Sequence, residues 1–189
     1  ILFMPTWRPW LEEQSDQVFE ESEYCRRYRS LLENRQLQEI LSAGHVKIIF
    51  HIHPKLKEFL KAFQTENSNV ELIEQGTRPL NELIMECSML LTDYSSVSWD
   101  VYYLGKPVVF YQFDYDLYMQ ANGSYLDMKK ELFGDRYITE EEVIAGLGEY
   151  VQNDFREKEK YGSLRQEYFA YNDQNNCKRI LEFLRSKGY

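Results

Sequence analysis

Three short segments carry residue types that could do chemistry. The first is Thr92-Asp93-Tyr94-Ser95-Ser96, where an apolar run ends in a polar turn and Val97-Ser98-Trp99-Asp100 opens a helical pattern. Ser95 reads as the helix N-cap, and a helix start with free N–H groups beside hydroxyls attracts anions. Capping alone explains the two serines equally well. The second is His51-Ile52-His53-Pro54, two histidines that share one face if the strand continues that far. A hydrogen-bonded buried histidine, or one that binds phosphate or moves a proton, fits this spacing. A metal site is disfavoured, because carboxylates at ligand spacing are absent and the chain has 3 histidines in all. The third is Pro5-Thr6-Trp7-Arg8, whose arginine could hold a phosphate through paired hydrogen bonds or pair with the acids of Glu12–Glu23. Asp114 and Asp116 read as solvated carboxylates of a tyrosine-rich loop.

These segments need strands that deliver them to one edge. Apolar runs at Ile1–Met4, Val46–His51, Val70–Ile73, Met89–Thr92 and Pro107–Tyr111 have strand length and are apolar on both faces, as a buried parallel sheet requires. Between them lie helical patterns over Gln17–Leu32, Arg35–Ala43 (with Gly44 as its stop), Pro54–Phe63, Pro79–Cys87 and Ser95–Leu104. Strands alternating with helices predict a doubly wound α/β sheet. Ligands then bind outside the carboxyl ends of the strands, where the three segments fall. Gln112–Asp135 reads as loop. Thr139 and Glu142 form a capping-box candidate for a helix to about Gln152, followed by helical runs over Phe155–Phe169 and Gln174–Ser186. The expectation is one domain over 1–189, a sheet core with its loop over 1–135 and a helical tail over 136–189.

Composition narrows the function classes. The 189 residues carry 22 Lys+Arg against 31 Asp+Glu, a net charge of −9, which argues against a general nucleic-acid binder. Hydrophobic residues at 43% exclude a disordered chain. Cys25, Cys87 and Cys177 are far apart and read as free thiols. No apolar run approaches the roughly 20 residues of a membrane-spanning helix. Neither a G-x-G-x-x-G, a P-loop, a G-x-S-x-G elbow nor an H-E-x-x-H is present. The acidic stretch Glu12–Glu39 reads as a solvated face or a protein-contact surface. The Ile1 start reads as a fragment of something longer, and the 15 tyrosines have no evident reason.

In order and spacing, ILFMPTWR, the histidine-proline pair at a strand end and LLTDYSSVSWDVYYLGKPVVFYQFDYDLY resemble the CDP-glycerol:glycerophosphotransferase family of teichoic acid synthesis. The resemblance covers residues 1 to about 120. It implies a GT-B fold, two Rossmann-like halves facing a cleft, of which this chain would be the C-terminal, donor-binding half. Carried over, the donor site would use Thr6, Trp7, Arg8, His53, Thr92, Asp93, Tyr94, Ser95, Ser96 and Val97. Arg8 and the serine-turn N–H groups would hold the diphosphate, and His53 would be the catalytic residue that stabilises or protonates the departing phosphate. No cofactor or metal is implied beyond the substrate nucleotide, CDP-glycerol or CDP-ribitol. A lipid-linked teichoic acid acceptor would approach through the N-terminal half, at the cytoplasmic face of the membrane. That half carries the family's second functional histidine, the general base. His45 precedes a strand and is expected at the opposite edge, so the fragment is expected to bind donor weakly and not to turn over. Ser98 and Trp99 depart from the family's tendency toward two aromatics. The alternative is the C-terminal domain of a GT-B nucleotide-sugar glycosyltransferase, whose carboxylate motif after the fourth strand is here replaced by serines.

Overall fold

The computed structural model describes residues 1–189. Six parallel strands form one sheet: β1 (Leu2–Phe3), β2 (Ile48–Phe50), β3 (Val70–Leu72), β4 (Leu90–Thr92), β5 (Val108–Tyr111) and β6 (Asp135–Tyr137). Their order is β3-β2-β1-β4-β5-β6. β1 lies between β2 and β4, pairing Phe3 with both Phe50 and Leu91. The chain therefore winds one way from β1 to β3 and the other way from β4 to β6. The reversal opens a crevice at the carboxyl ends of β1 and β4, where such sheets bind ligands.

Alternating strand residues feed two cores. Phe3, Ile48, Phe50, Leu91, Val109 and Tyr111 pack under the helices of one face, and Leu2, Leu90, Val108 and Phe110 under those of the other. The first face carries α1 (Asp16–Glu20), α2 (Glu23–Glu33), α3 (Arg35–Ala43), the 3₁₀ segment Pro54–Phe63 and α7 (Glu140–Gln152). The second carries α4 (Leu80–Glu86), α5 (Val97–Tyr103) and α8 (Glu159–Tyr168). The Thr139–Glu142 capping box forms at the start of α7.

Several expectations are corrected. The single helix over Gln17–Leu32 is two, because the Ser22 hydroxyl accepts from the Cys25 amide and starts α2 afresh. The segment read as loop contains α6 (Tyr115–Asn122) and leads into β6, so the sheet crosses the expected boundary at residue 135. β6 escapes pattern reading because Asp135-Arg136-Tyr137 has no apolar run. It reaches β5 through Gly134, where a Cβ would stand 2.1 Å from the Val108 carbonyl oxygen. Gly44 does stop α3, as expected, and the left-handed residue is His45 just beyond it (φ 52°). α9 (Asn176–Ser186) buries none of its residues and presents Ile180 and Phe183 to solvent.

Candidate functional site at the carboxyl edge of the sheet

The exits of β1 and β4 are stitched together across the crevice. The Thr6 amide donates to Asp93 Oδ1 at 2.8 Å, and the Thr92 hydroxyl donates to the Met4 carbonyl at 2.6 Å. Arg8, wholly buried, lies at the centre. Its Nη1 meets Asp93 Oδ2 at 2.9 Å and the Thr6 carbonyl at 2.6 Å, while Nε and Nη2 grip both oxygens of Asp114 at 2.7 and 3.0 Å. Arg8 thus pairs with Asp93 and Asp114 and not with the acids of Glu12–Glu23. Asp114 is not a solvated carboxylate but one arm of a buried fork.

Tyrosines enclose this centre. The Tyr28 hydroxyl donates to Asp93 at 2.8 Å and the Tyr94 hydroxyl to Asp114 at 3.0 Å. The rings of Tyr24, Tyr94 and Tyr118 lie 5.0–5.2 Å from the guanidinium carbon, within cation–π range. Tyr94 stacks on Tyr118 with centroids 3.7 Å apart. Burial alone would lower the Arg8 pKa, but Asp93, Tyr28 and Asp114 outweigh it and hold it well above the ordinary value. Burial, with Asp114 and Asp93, pushes the Tyr94 phenol up as well. The centre is one guanidinium held between two carboxylates, inside a ring of neutral phenols.

What faces outward is different. Neither the Ser95 nor the Ser96 amide donates within the chain. Ser95 Oγ accepts from the Val97 amide at 3.3 Å, but the N-cap of α5 is Ser96, whose side chain makes no capping bond, so the expected cap at Ser95 is one residue early. Beside the turn is a cavity of about 310 Å³ bordered by Tyr94, Ser95, Ser98, Trp99, Tyr118 and Met128.

β2 ends at Phe50, so the two histidines do not share a strand face. His51 is buried, and its Nδ1 has no partner. His53 is half-buried, lies against Trp7 with ring centroids 5.9 Å apart, and accepts from the Lys55 amide through Nδ1 at 3.2 Å. Burial first, then Lys55, lowers the His53 pKa, so near neutral pH the ring is uncharged and carries its proton on Nε2. Lys55 covers the Trp7 ring at 3.9 Å and pairs with Glu12 at 3.0 Å. His45 is exposed and precedes β2, at the opposite edge.

Four buried side-chain polar atoms lack a hydrogen-bond partner: Thr6 Oγ1, Tyr24 Oη, His51 Nδ1 and Tyr111 Oη. Thr6, His51 and Tyr111 follow or end strands at the carboxyl edge, and Tyr24 lies against Arg8. Native interiors leave few such groups, and here they gather at one edge. Sequence reasoning missed Tyr24, Tyr28 and Tyr118 and named Asp114 only as a solvated carboxylate. The YQFDYDLY run was the only signal for the last two.

The family model of the CDP-glycerol:poly(glycerophosphate) glycerophosphotransferases matches residues 1–186. This chain belongs to that family. It is 31% identical over 189 residues to the minor teichoic acid biosynthesis protein GgaB of Bacillus subtilis (strain 168), covering 95% of this chain and 21% of that protein. It is 28% identical over 163 residues to the teichoic acid poly(glycerol phosphate) polymerase of the same strain, covering 86% of this chain and 20% of the polymerase. Among solved structures, the wall teichoic acid polymerase TagF superposes with a TM-score of 0.68 at 22% identity, over 99% of this chain and 43% of that one. The match to TagF confirms the α/β fold. The chain spans about a fifth of the length of the first two curated relatives.

Proposed function

We propose that this chain is the donor-binding portion of a transferase that moves glycerol phosphate or ribitol phosphate from a CDP-polyol to a teichoic acid acceptor, releasing CMP. Family membership supports the reaction class. The observation that carries the location is the concentration of unpartnered polar atoms at the carboxyl edge of β1, β2 and β5, beside the free Ser95 and Ser96 amides after β4.

The candidate residues divide by role. Thr6, Trp7, His53, Ser95, Ser96 and the turn before Val97 are accessible enough to touch a nucleotide, with the Ser95 and Ser96 amides as phosphate donors. Arg8, Thr92, Asp93 and Tyr94 are buried and hold those residues in place. In the reaction, an acceptor hydroxyl attacks the polyol-bearing phosphorus, the bond to the bridging oxygen breaks, and CMP departs. The hydroxyl proton passes to a base outside this chain's carboxyl edge. His53, with hydrogen on Nε2, donates to the departing phosphate, and the remaining catalysis is positioning and charge stabilisation.

The lipid-linked acceptor places the full-length enzyme at the cytoplasmic membrane face. No helix of this chain is long and apolar enough to cross a membrane. The test is a melting-temperature series with CDP-glycerol, CMP and a UDP-sugar. CDP-glycerol should raise the melting temperature and the UDP-sugar should not. No shift at millimolar CDP-glycerol, or a larger one with the UDP-sugar, would overturn the assignment.

A further inference from the structure

Resting on that donor-site reading, the geometry points to Arg136 as a phosphate-binding residue of this edge, a role to which Arg8 is not free to contribute its charge. Arg8 faces two carboxylates, Asp93 and Asp114, and is wholly buried between them. That centre has an excess of negative charge, so alone it would repel the phosphates the site must hold.

Arg136 sits in β6, in register with Phe110 of β5. Its Nε donates to Gln112 Oε1 at 2.7 Å, and the fully buried Gln112 donates through Nε2 to the Asp93 carbonyl at 2.8 Å. One amide side chain therefore ties Arg136 to the backbone at the serine turn. Nε is the only guanidinium nitrogen so engaged; both amino groups of Arg136 lack a protein acceptor, and it forms no salt bridge in a chain with 31 acids. Its guanidinium lies 5.0 Å from the centroid of the Tyr115 ring, and Lys129 Nζ lies 4.3 Å from the same ring. Both cations border a groove of about 550 Å³ with Asp114 and Asp116. Asp114 is already held by Arg8. Asp116, 96% exposed, touches Lys129 only at 3.9 Å. Along this edge Arg136 and Lys129, counted with Arg8, match Asp93, Asp114 and Asp116, and Glu142 of α7 is the further acid that Arg136 acts on. A planar guanidinium with both amino groups open, steadied through its third nitrogen, suits two oxygens of one phosphate.

Two phosphate sources have this chemistry: the diphosphate of the nucleotide donor and the phosphodiesters of a polyol-phosphate acceptor. Calorimetric titration of the 189-residue chain with CDP-glycerol and, separately, with a short glycerol phosphate oligomer distinguishes them. R136Q should weaken binding of at least one probe about tenfold, R136K should recover most of it, and K129Q should cost about threefold. The probe that responds names the source. The slope of log affinity against log salt should also fall in R136Q.

If the wild type binds either probe and R136Q stays within twofold for both, the assignment to Arg136 is overturned. If the oligomer binds in an Arg136-dependent way and CDP-glycerol does not bind, the donor-site reading fails while Arg136 stands. Binding of neither at millimolar concentration overturns both. Should R136Q not fold, R136M takes its place under the same thresholds: a loss of about tenfold for at least one probe supports the assignment, and affinities within twofold for both overturn it.

Discussion

Two buried charge centres lie at opposite edges of the same sheet. At the carboxyl edge, Arg8 is held by Asp93 and Asp114 and enclosed by Tyr24, Tyr28, Tyr94 and Tyr118. At the amino edge, Asp135 opens β6 and accepts from Tyr150 Oη at 2.8 Å, Tyr161 Oη at 2.9 Å and Lys158 Nζ at 2.7 Å. Both use tyrosine for the same reason: its ring packs as an apolar body while its hydroxyl satisfies a charge. The difference is completeness. Around Asp135 every buried polar group has a partner, and the cluster locks β6 to α7 and α8. Around Arg8 the charges are paired, but unpartnered polar atoms and free amides surround them. A closed centre serves stability, and an open one leaves hydrogen-bonding capacity for a ligand.

The largest effect expected from breaking this contrast is at Arg8. Arg8→Leu leaves two buried carboxylates without their cation and should cost about 3–5 kcal/mol, read by urea unfolding. That is a large share of an ordinary domain's stability, so loss of nucleotide binding in this variant would report the scaffold and not a phosphate contact. A cost below about 1 kcal/mol would remove Arg8 from its central position.

Asp135→Asn comes next, at about 2 kcal/mol near neutral pH, since Lys158 is partly exposed and can rehydrate. Burial would raise the Asp135 pKa, but the bonds from Lys158, Tyr150 and Tyr161 outweigh it and hold it below 3.8. The unfolded chain therefore takes up this proton first. The aspartate's contribution is complete above the ordinary carboxylate range and fades as pH falls from about 3.8 through the folded-state value. Urea midpoints of wild type and D135N should converge across that window and stay parallel above about pH 5.

His53→Ala separates binding from folding. Affinity for CDP-glycerol should fall about tenfold while stability changes by less than about 1 kcal/mol, because the half-buried ring mainly accepts one amide hydrogen bond. With its pKa lowered, the midpoint of the pH change in wild-type affinity should lie below the ordinary histidine value of 6.5. The smallest effect is Ser95→Ala: about 0.5–1 kcal/mol from a lost turn bond ahead of α5 that is already long at 3.3 Å. A much larger loss of affinity than of stability there would show that the hydroxyl touches ligand.

The tyrosine content, unaccounted for by local pattern, becomes intelligible in three dimensions. Six of the 15 tyrosines line one or other charge centre: Tyr24, Tyr28, Tyr94 and Tyr118 around Arg8, and Tyr150 and Tyr161 around Asp135. No spacing rule announces this, because the residues come from separate elements and converge only when the sheet is wound.

By itself the sequence determined the alternation of five apolar strands with helices, the capping box at Thr139, and the delivery of Thr6–Arg8, His53 and Thr92–Val97 to one sheet edge. These are local properties: hydrophobic periodicity, cap chemistry and chain direction within a parallel sheet act over a few residues. The tertiary structure alone decided which of the delivered residues remain open. Arg8 and Asp114 are 106 positions apart, and only folding shows that the arginine's charge is consumed by carboxylates. It alone decided that Asp135-Arg136-Tyr137 is a strand, since a charged tripeptide can join a sheet only where Lys158 and two phenols wait for its aspartate. Burial and charge pairing depend on what arrives from elsewhere in the chain, and a reading confined to local spacing cannot contain them.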